Sequence, residues 1–455
     1  MRRLLSALLV FLSGFAVPAL AITAEQLATR DGEVAFGQAW LRNTRGALGE
    51  RIDPFCVDVL ETWLTRLKNH YTLGTMPLTG LCLNAPIFNA FAAPGGIIGV
   101  NRGIYLDLTQ ESEVMAVLAH ELAHLSQRHH YRGLKNSERV SPGTLATLAG
   151  VVAAIATRQG QAAQSLIMGG QAANVSQALS YSRDYEREAD RIGVAALDAA
   201  GYDPNAMASV LQVLADKQSR MTRELAFLST HPLGIERQSD LESRLDQMPL
   251  DTPRPPVLNS QDFALFRCVQ VEGLDLSFAH AASFDCESIH RVMQAYRSAE
   301  YQDAWEGWQN QPTSVRNTLT GLDLTIAFAI KAAQFDAARD AIETMEVLFP
   351  SWVTPTVARL DLALAEGATD LPRAFREQTV ERPERLELWR ALSRFAEATR
   401  QQHFLFEARA WDALMHGKLE ASRTQLTRAR DQWPDTVDTR PLERLEETLS
   451  ALERD

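Results

Sequence analysis

The 455-residue chain predicts a mainly α fold, an α+β first domain with a small sheet followed by an α-solenoid of helix pairs. Three observations predict it. An apolar stripe at helical spacing, Val114, Val117 and Leu118, runs on into His120 and His124. A short strand-like run, Ile97 to Val100, follows the turn-forming Pro94-Gly95-Gly96. Past residue 260 helical patterns recur, and Tyr301 with Ala304 stands 34 residues before Phe335 with Ala338. The divisions that follow are a leader over 1–21, a first domain over 22–251, a proline-marked linker over 252–261 (Pro253, Pro255, Pro256) and a helical domain over 262–455.

Met1-Arg2-Arg3, an apolar run from Leu4 to Val17, and Ala19-Leu20-Ala21 have the form of a secretory signal with cleavage after Ala21. The apolar run is too short to span a bilayer, and an uncleaved anchor is the competing reading. With 45 basic against 57 acidic residues the net charge is −12, which argues against nucleic acid as a partner. Any contact with an anionic lipid surface would have to be local and apolar. Four cysteines in an exported chain are expected to be oxidised. Of the three pairings the local one is favoured, Cys56 with Cys82 and Cys268 with Cys286, with free structural thiols as the alternative.

His120-Glu121-Leu122-Ala123-His124 carries the chemistry. Residues four apart on a helix lie one above the other, so both imidazoles can reach one ion with Glu121 beside them. Thr109 is the expected N-cap, with Glu111 and Glu113 in the first turn, where carboxylates favour the helix dipole. A catalytic zinc needs a third protein ligand and an open position. Glu186 is the best candidate; Asp190, four residues on, shares its face and could accept the free ring N–H of a ligating histidine. His129 and His130 fall one or two turns further along α-helical spacing and are not expected as ligands. His70, His280, His290, His403 and His416 are isolated.

Several separate segments together resemble the HtpX-like and CAAX-prenyl-protease-like zinc metallopeptidases, and within that family its periplasmic beta-barrel assembly-enhancing type. They are Asn89 to Gly96 leading to Asn101-Arg102-Gly103, His120 to His124 with Arg128-His129, Glu186 to Asp190, and Ser229-Thr230-His231-Pro232 with Arg237. The resemblance covers roughly residues 25 to 250. It implies one Zn2+ per chain held by His120, His124 and Glu186. In such a site Glu121 takes a proton from the metal-bound water and passes it to the leaving amine. His231 is the natural second donor to the oxyanion, with Arg237 as a nearby charge. Alternatively His231 occupies the open metal position and holds the site latent.

Ile97 to Val100 reads as an edge strand that could pair with an extended peptide, with an ordinary hairpin edge as the plain alternative. Thr144 to Ala156 and Arg158 to Ser180 are rich in small residues and fit a lid, a surface-dipping element or a core helix equally. The 34-residue spacing is that of tetratricopeptide repeats, and three to four degenerate repeats would present a concave groove. By resemblance this groove would dock outer-membrane assembly machinery or its misassembled beta-barrel clients, with peripheral membrane contact and no nucleic acid. The enzyme so read is a periplasmic zinc endopeptidase acting in quality control of outer-membrane proteins. The rivals are a chaperone or assembly scaffold with a latent or structural metal site, and an exported zinc aminopeptidase.

Overall fold

The computed structural model describes residues 28–136, 183–220, 227–228, 231–248, 254–274, 286–434 and 437–453. The leader over 1–21 and the segment from Thr144 to Ser180 lie outside these residues. Helices dominate, with one three-stranded sheet.

Helix α1 (Arg30–Leu48) opens on Thr29, whose side chain accepts from Gly32 N, and closes on Gly49 in the left-handed region. Its Trp40, Leu41 and Leu48 pack on Leu81, Leu83 and Ile97 of the sheet. Helix α2 (Pro54–Lys68) starts at the N-cap Asp53 with Pro at its first position. The sheet runs β1 (Thr79–Leu83), β3 (Ile97–Asn101), β2 (Ala90–Ala93), with β3 parallel to β1 and antiparallel to β2. Ile97 to Val100 therefore forms the central strand, hydrogen-bonded on both sides, and β1 and β2 are the edges. Pro94-Gly95-Gly96 turns the chain between β2 and β3 with both glycines at positive φ. A Cβ on Gly96 would lie 1.9 Å from Pro77 O, so the close approach excludes a side chain there.

Helix α3 (Glu111–Ser126) is buried along its length, its apolar run from Val114 to Ala119 packed in the core and its Glu111, Glu113, His120, Glu121 and His124 buried with it. Its N-cap is Gln110, one residue after the predicted Thr109. The Glu113 carboxylate closes a capping box by accepting from Gln110 N (3.1 Å) and also from Thr109 N (2.6 Å), which leaves Thr109 outside the cap. Helix α4 (His129–Asn136) follows after a break at Arg128, which sits at φ 54. Helix α5 (Arg183–Ala199) lies along α3, and α6 (Ala206–Arg220) and α7 (Ile235–Leu245) complete this half.

The proline-marked segment is held against the helices before it. Pro255 O accepts from Arg66 Nη1 (2.8 Å), while Val257 N and Leu258 N donate to the Glu111 carboxylate (2.8 and 2.6 Å). Next come α8 (Ser260–Val271), α9 (Glu287–Arg297), α10 (Tyr301–Gln309), the short α11 (Thr313–Arg316), α12 (Leu319–Lys331), α13 (Phe335–Leu348) and α14 (Val353–Ala365). One hydrophobic cluster runs from Trp63 and Val117 through Phe263 and Phe266 to Ile342, Met345 and Leu362. The 34-residue spacing relates the first residues of α10 and α13, and Ala304 and Ala338, three residues into each, are fully buried where paired helices meet. A second core gathers α15 (Arg373–Glu381), α16 (Leu386–Thr399), α17 (Gln402–Met415), α18 (Leu419–Asp431) and α19 (Arg440–Leu452), with Trp389 stacked on Trp411.

Both disulfides have the local pairing. Cys56–Cys82 ties α2 to β1, and Cys268–Cys286 ties α8 to the start of α9. No described helix is long and apolar enough to cross a membrane.

Candidate metal centre

The centre forms where α3 and α5 approach closely. Gly193 on α5 permits the approach, since a Cβ there would stand 3.3 Å from His120 N and 3.0 Å from Met207 Cε. Ligating atoms of His120, His124, Glu186 and His231 all lie within 4.8 Å of one another, and all four side chains are buried. His120 Nε2 is 3.0 Å from His124 Nε2 and 3.3 Å from His231 Nδ1. Glu186 Oε1 is 3.4 Å from His124 Nε2 and 3.0 Å from His231 Nδ1, and Glu186 Oε2 is 3.4 Å from His120 Nε2. A tetrahedral zinc with bonds of 2.0–2.1 Å separates its ligand atoms by about 3.3 Å, so the cluster has the dimensions of such a site.

The remaining polar atoms fit a metal-bound water. Glu121 Oε2 accepts from Ala92 N at 2.9 Å, while its Oε1 is buried without a hydrogen bond and stands 3.5 Å from His231 Nε2. An orphaned carboxylate oxygen facing the cluster is the acceptor that a water in the centre would require. Burial raises the Glu121 carboxyl above the usual carboxylate range, against the attraction of His231 and His120. That shift suits a proton acceptor that must later release what it takes.

The electrostatics of the centre favour a cation. Burial opposes ionisation of Glu186, yet His231 and His120 outweigh it and hold the carboxyl well below its usual range. Asp190 is lowered as well, with Arg237 and His120 prevailing over burial. In the metal-free site burial works against a charged His120, but Asp190 and Glu186 prevail and push its pKa up to about 10. A divalent ion would satisfy the same carboxylates while leaving the imidazoles neutral. Burial keeps His124 well below the usual range and so neutral, as a ligand must be.

Asp190 Oδ1 lies 3.0 Å from His120 Nδ1, which must carry the proton because a carboxylate only accepts. Arg237 grips Asp190 with two bonds (Nε to Oδ2 2.7 Å, Nη2 to Oδ1 2.8 Å) and pairs with Glu186 Oε2 at 2.8 Å. Arg237 thus braces the carboxylates from behind. His231, expected from the sequence as an oxyanion donor or a latch, lies inside the ligand cluster. Its ring stacks on Phe227 (4.5 Å), which in turn meets Phe88 edge-on. Beside the centre the outward polar groups of β2 are engaged at Ala92, whose N–H is held by Glu121 and whose carbonyl accepts from His130 Nε2 at 3.0 Å. Gly193, Ala92 and Phe227 carry no motif in the sequence, because their significance depends on contacts between elements. His129, set aside as off the helix face, is buried against His124.

Two histidines one turn apart, a glutamate from the adjoining helix and an orphaned carboxylate oxygen beside them are the groups that a two-histidine, one-glutamate metal centre uses. Residues 71–245 match peptidase family M48. The chain is 32% identical over 264 residues to the beta-barrel assembly-enhancing protease of Yersinia pestis, covering 57% of this chain and 53% of that protein. To the beta-barrel assembly-enhancing protease of Escherichia coli K12 it is 30% identical over 295 residues, covering 64% and 59% respectively. The mitochondrial metalloendopeptidase OMA1 of Schizosaccharomyces pombe is 33% identical over 162 residues, 36% of this chain and 45% of that protein. The chain therefore spans about half the length of the curated relatives it matches.

Proposed function

We propose that this chain is a zinc-dependent endopeptidase of the periplasm that removes misfolded or stalled outer-membrane proteins. The observation that carries the reading is the convergence of His120, His124 and Glu186 on one point faced by the unpartnered Glu121 Oε1. Zinc, when bound, would supply a Lewis acid and a water of lowered pKa. Glu121 Oε1 accepts the water's proton and delivers it to the leaving amine. An extended segment pairing with the outer edge of β2 would take the Ala92 carbonyl over from His130 Nε2, and such backbone pairing favours unfolded polypeptide over any single side chain. The names of the relatives support outer-membrane proteins and their assembly machinery as clients and partners. A signal sequence cleaved after Ala21 would place the chain in the periplasm, and the helices beyond residue 262 would dock partners as a tetratricopeptide-like domain.

In the arrangement described, His231 Nδ1 stands where a fourth ligand would, and its Nε2 faces Glu121. This supports a latent resting state, because a water can enter only when His231 withdraws. The same four-protein-ligand set suits a structural site, which keeps the scaffold reading in play. Digestion of an unfolded protein by the purified mature chain separates the readings, with Glu121→Gln and His231→Ala alongside. The peptidase reading expects cleavage that rises in His231→Ala and vanishes in Glu121→Gln at unchanged zinc content. Retained zinc with no cleavage by wild type or His231→Ala would favour the scaffold.

A further inference from the structure

We propose that His129 is a positioning residue for the metal ligand His124, acting through an imidazole–imidazole hydrogen bond that Glu188 and Arg132 brace. The inference rests on the reading of His124 as a ligand through Nε2. Its Nδ1 lies 2.9 Å from His129 Nδ1, and His129 Nε2 lies 3.1 Å from Glu188 Oε2. Glu188 Oε2 also accepts from Arg132 Nη1 at 2.9 Å.

The protons in this chain of contacts follow from the end groups. A ligand nitrogen carries no proton, so a neutral His124 keeps its proton on Nδ1. His129 Nδ1 is then the acceptor, and its own proton sits on Nε2, where it donates to the carboxylate. Each group leaves its neighbour one tautomer, and the cation Arg132 fixes the far end. Tyr185 lies flat on His129 (4.5 Å, 8° between planes), and the Arg132 guanidinium stands over the Tyr185 ring at 4.6 Å, which fixes the orientation of the His129 ring, set at 74° to that of His124. His129 and His124 are both buried, at 1% and 0% exposure, so water does not compete for the bond.

Backbone geometry creates the meeting. In an unbroken helix, residue 129 would point about 140° away from residue 124. Arg128 at φ 54 ends that course, and its side chain is tied to Glu33 Oε1 (3.1 Å) and Ala28 O (2.8 Å), which offsets the strain of a left-handed arginine. The chain turns back and delivers His129 beside His124. His120 is served in parallel by Asp190 and Arg237, so each imidazole of the pair has an acceptor behind it and a cation behind the acceptor.

The test measures zinc affinity of the full mature chain by competition with a chelator, together with the melting temperature of the metal-free protein. His129→Phe keeps the stack on Tyr185 but has no acceptor, and His129→Asn restores an amide oxygen near the Nδ1 position. Loss of a partner behind a metal ligand costs about 10–100-fold in affinity, the result expected for His129→Phe, and recovery to within about threefold is expected for His129→Asn. Nitrogen-15 NMR of the zinc-bound protein should show His124 protonated at Nδ1 in wild type and His129→Asn. Equal affinity in wild type and His129→Phe would overturn the inference, as would equal losses in both variants tracking a lower metal-free melting temperature. If His124→Ala leaves zinc affinity unchanged, the ligand assignment itself fails; if His124 is required and His129→Phe is indifferent, only the relay fails.

Discussion

Around α3 and α5 the buried charges converge on one point, whereas in the C-terminal helices a closed pair cancels. Arg376 and Glu407 meet at 2.7 and 2.8 Å inside the second core as a one-to-one pair, and Arg385 is shared by Asp58, Glu61 and Glu387. Near His120 and His124, by contrast, Glu186, Asp190 and Glu121 crowd together with Arg237 as the one guanidinium that pairs with them among the described residues. A surplus of buried acceptors asks for an external cation, and a balanced pair asks for none. The comparison separates a region built to bind from one built to hold shape.

The largest effect should come from Glu186→Ala, which removes a ligand and its charge together. The variant is expected to lose stoichiometric zinc, read by metal analysis after gel filtration. Next, Arg237→Met leaves Asp190 and Glu186 without their buried cation. A loss of about 3–5 kcal/mol is expected in urea unfolding of the metal-free chain, and a wild-type midpoint would show that the carboxylates need no brace. The sharpest contrast lies in replacing whole pairs. Arg376→Met with Glu407→Leu should be near neutral or stabilising in the same assay, whereas Asp190→Leu with Arg237→Met should abolish tight zinc binding whatever the stability. Opening the Cys56–Cys82 bridge by double serine substitution should cost about 2–4 kcal/mol, because its 26-residue separation constrains the unfolded chain. Least of all, Arg394→Ala, which removes an exposed partner of Asp361, should change stability by about 0.5 kcal/mol or less.

Much of the centre was legible because helical spacing alone places it. His120, Glu121 and His124 fall on one helix, and Glu186 with Asp190 on another, so their faces follow from counting. The local disulfides followed from position along the chain, and the helix-pair spacing located Ala304 and Ala338. What could not be read depended on single backbone angles or on contacts between elements. Arg128 gives no sign in the sequence that it will adopt φ 54, and without that turn His129 is placed on the wrong side. Ile97 to Val100 looked like an edge because alternation and turn residues do not encode which neighbour a strand receives. The place of His231 follows from its seat on Phe227, a contact no spacing rule predicts.

The Glu111 carboxylate is the first residue of the helix that bears the histidines, and it holds the backbone of Val257 and Leu258. A stiff rod of about 13 Å separates it from His120. A displacement of the Val257–Leu258 backbone would therefore bear end-on, through two short hydrogen bonds, on the helix that carries His120 and His124.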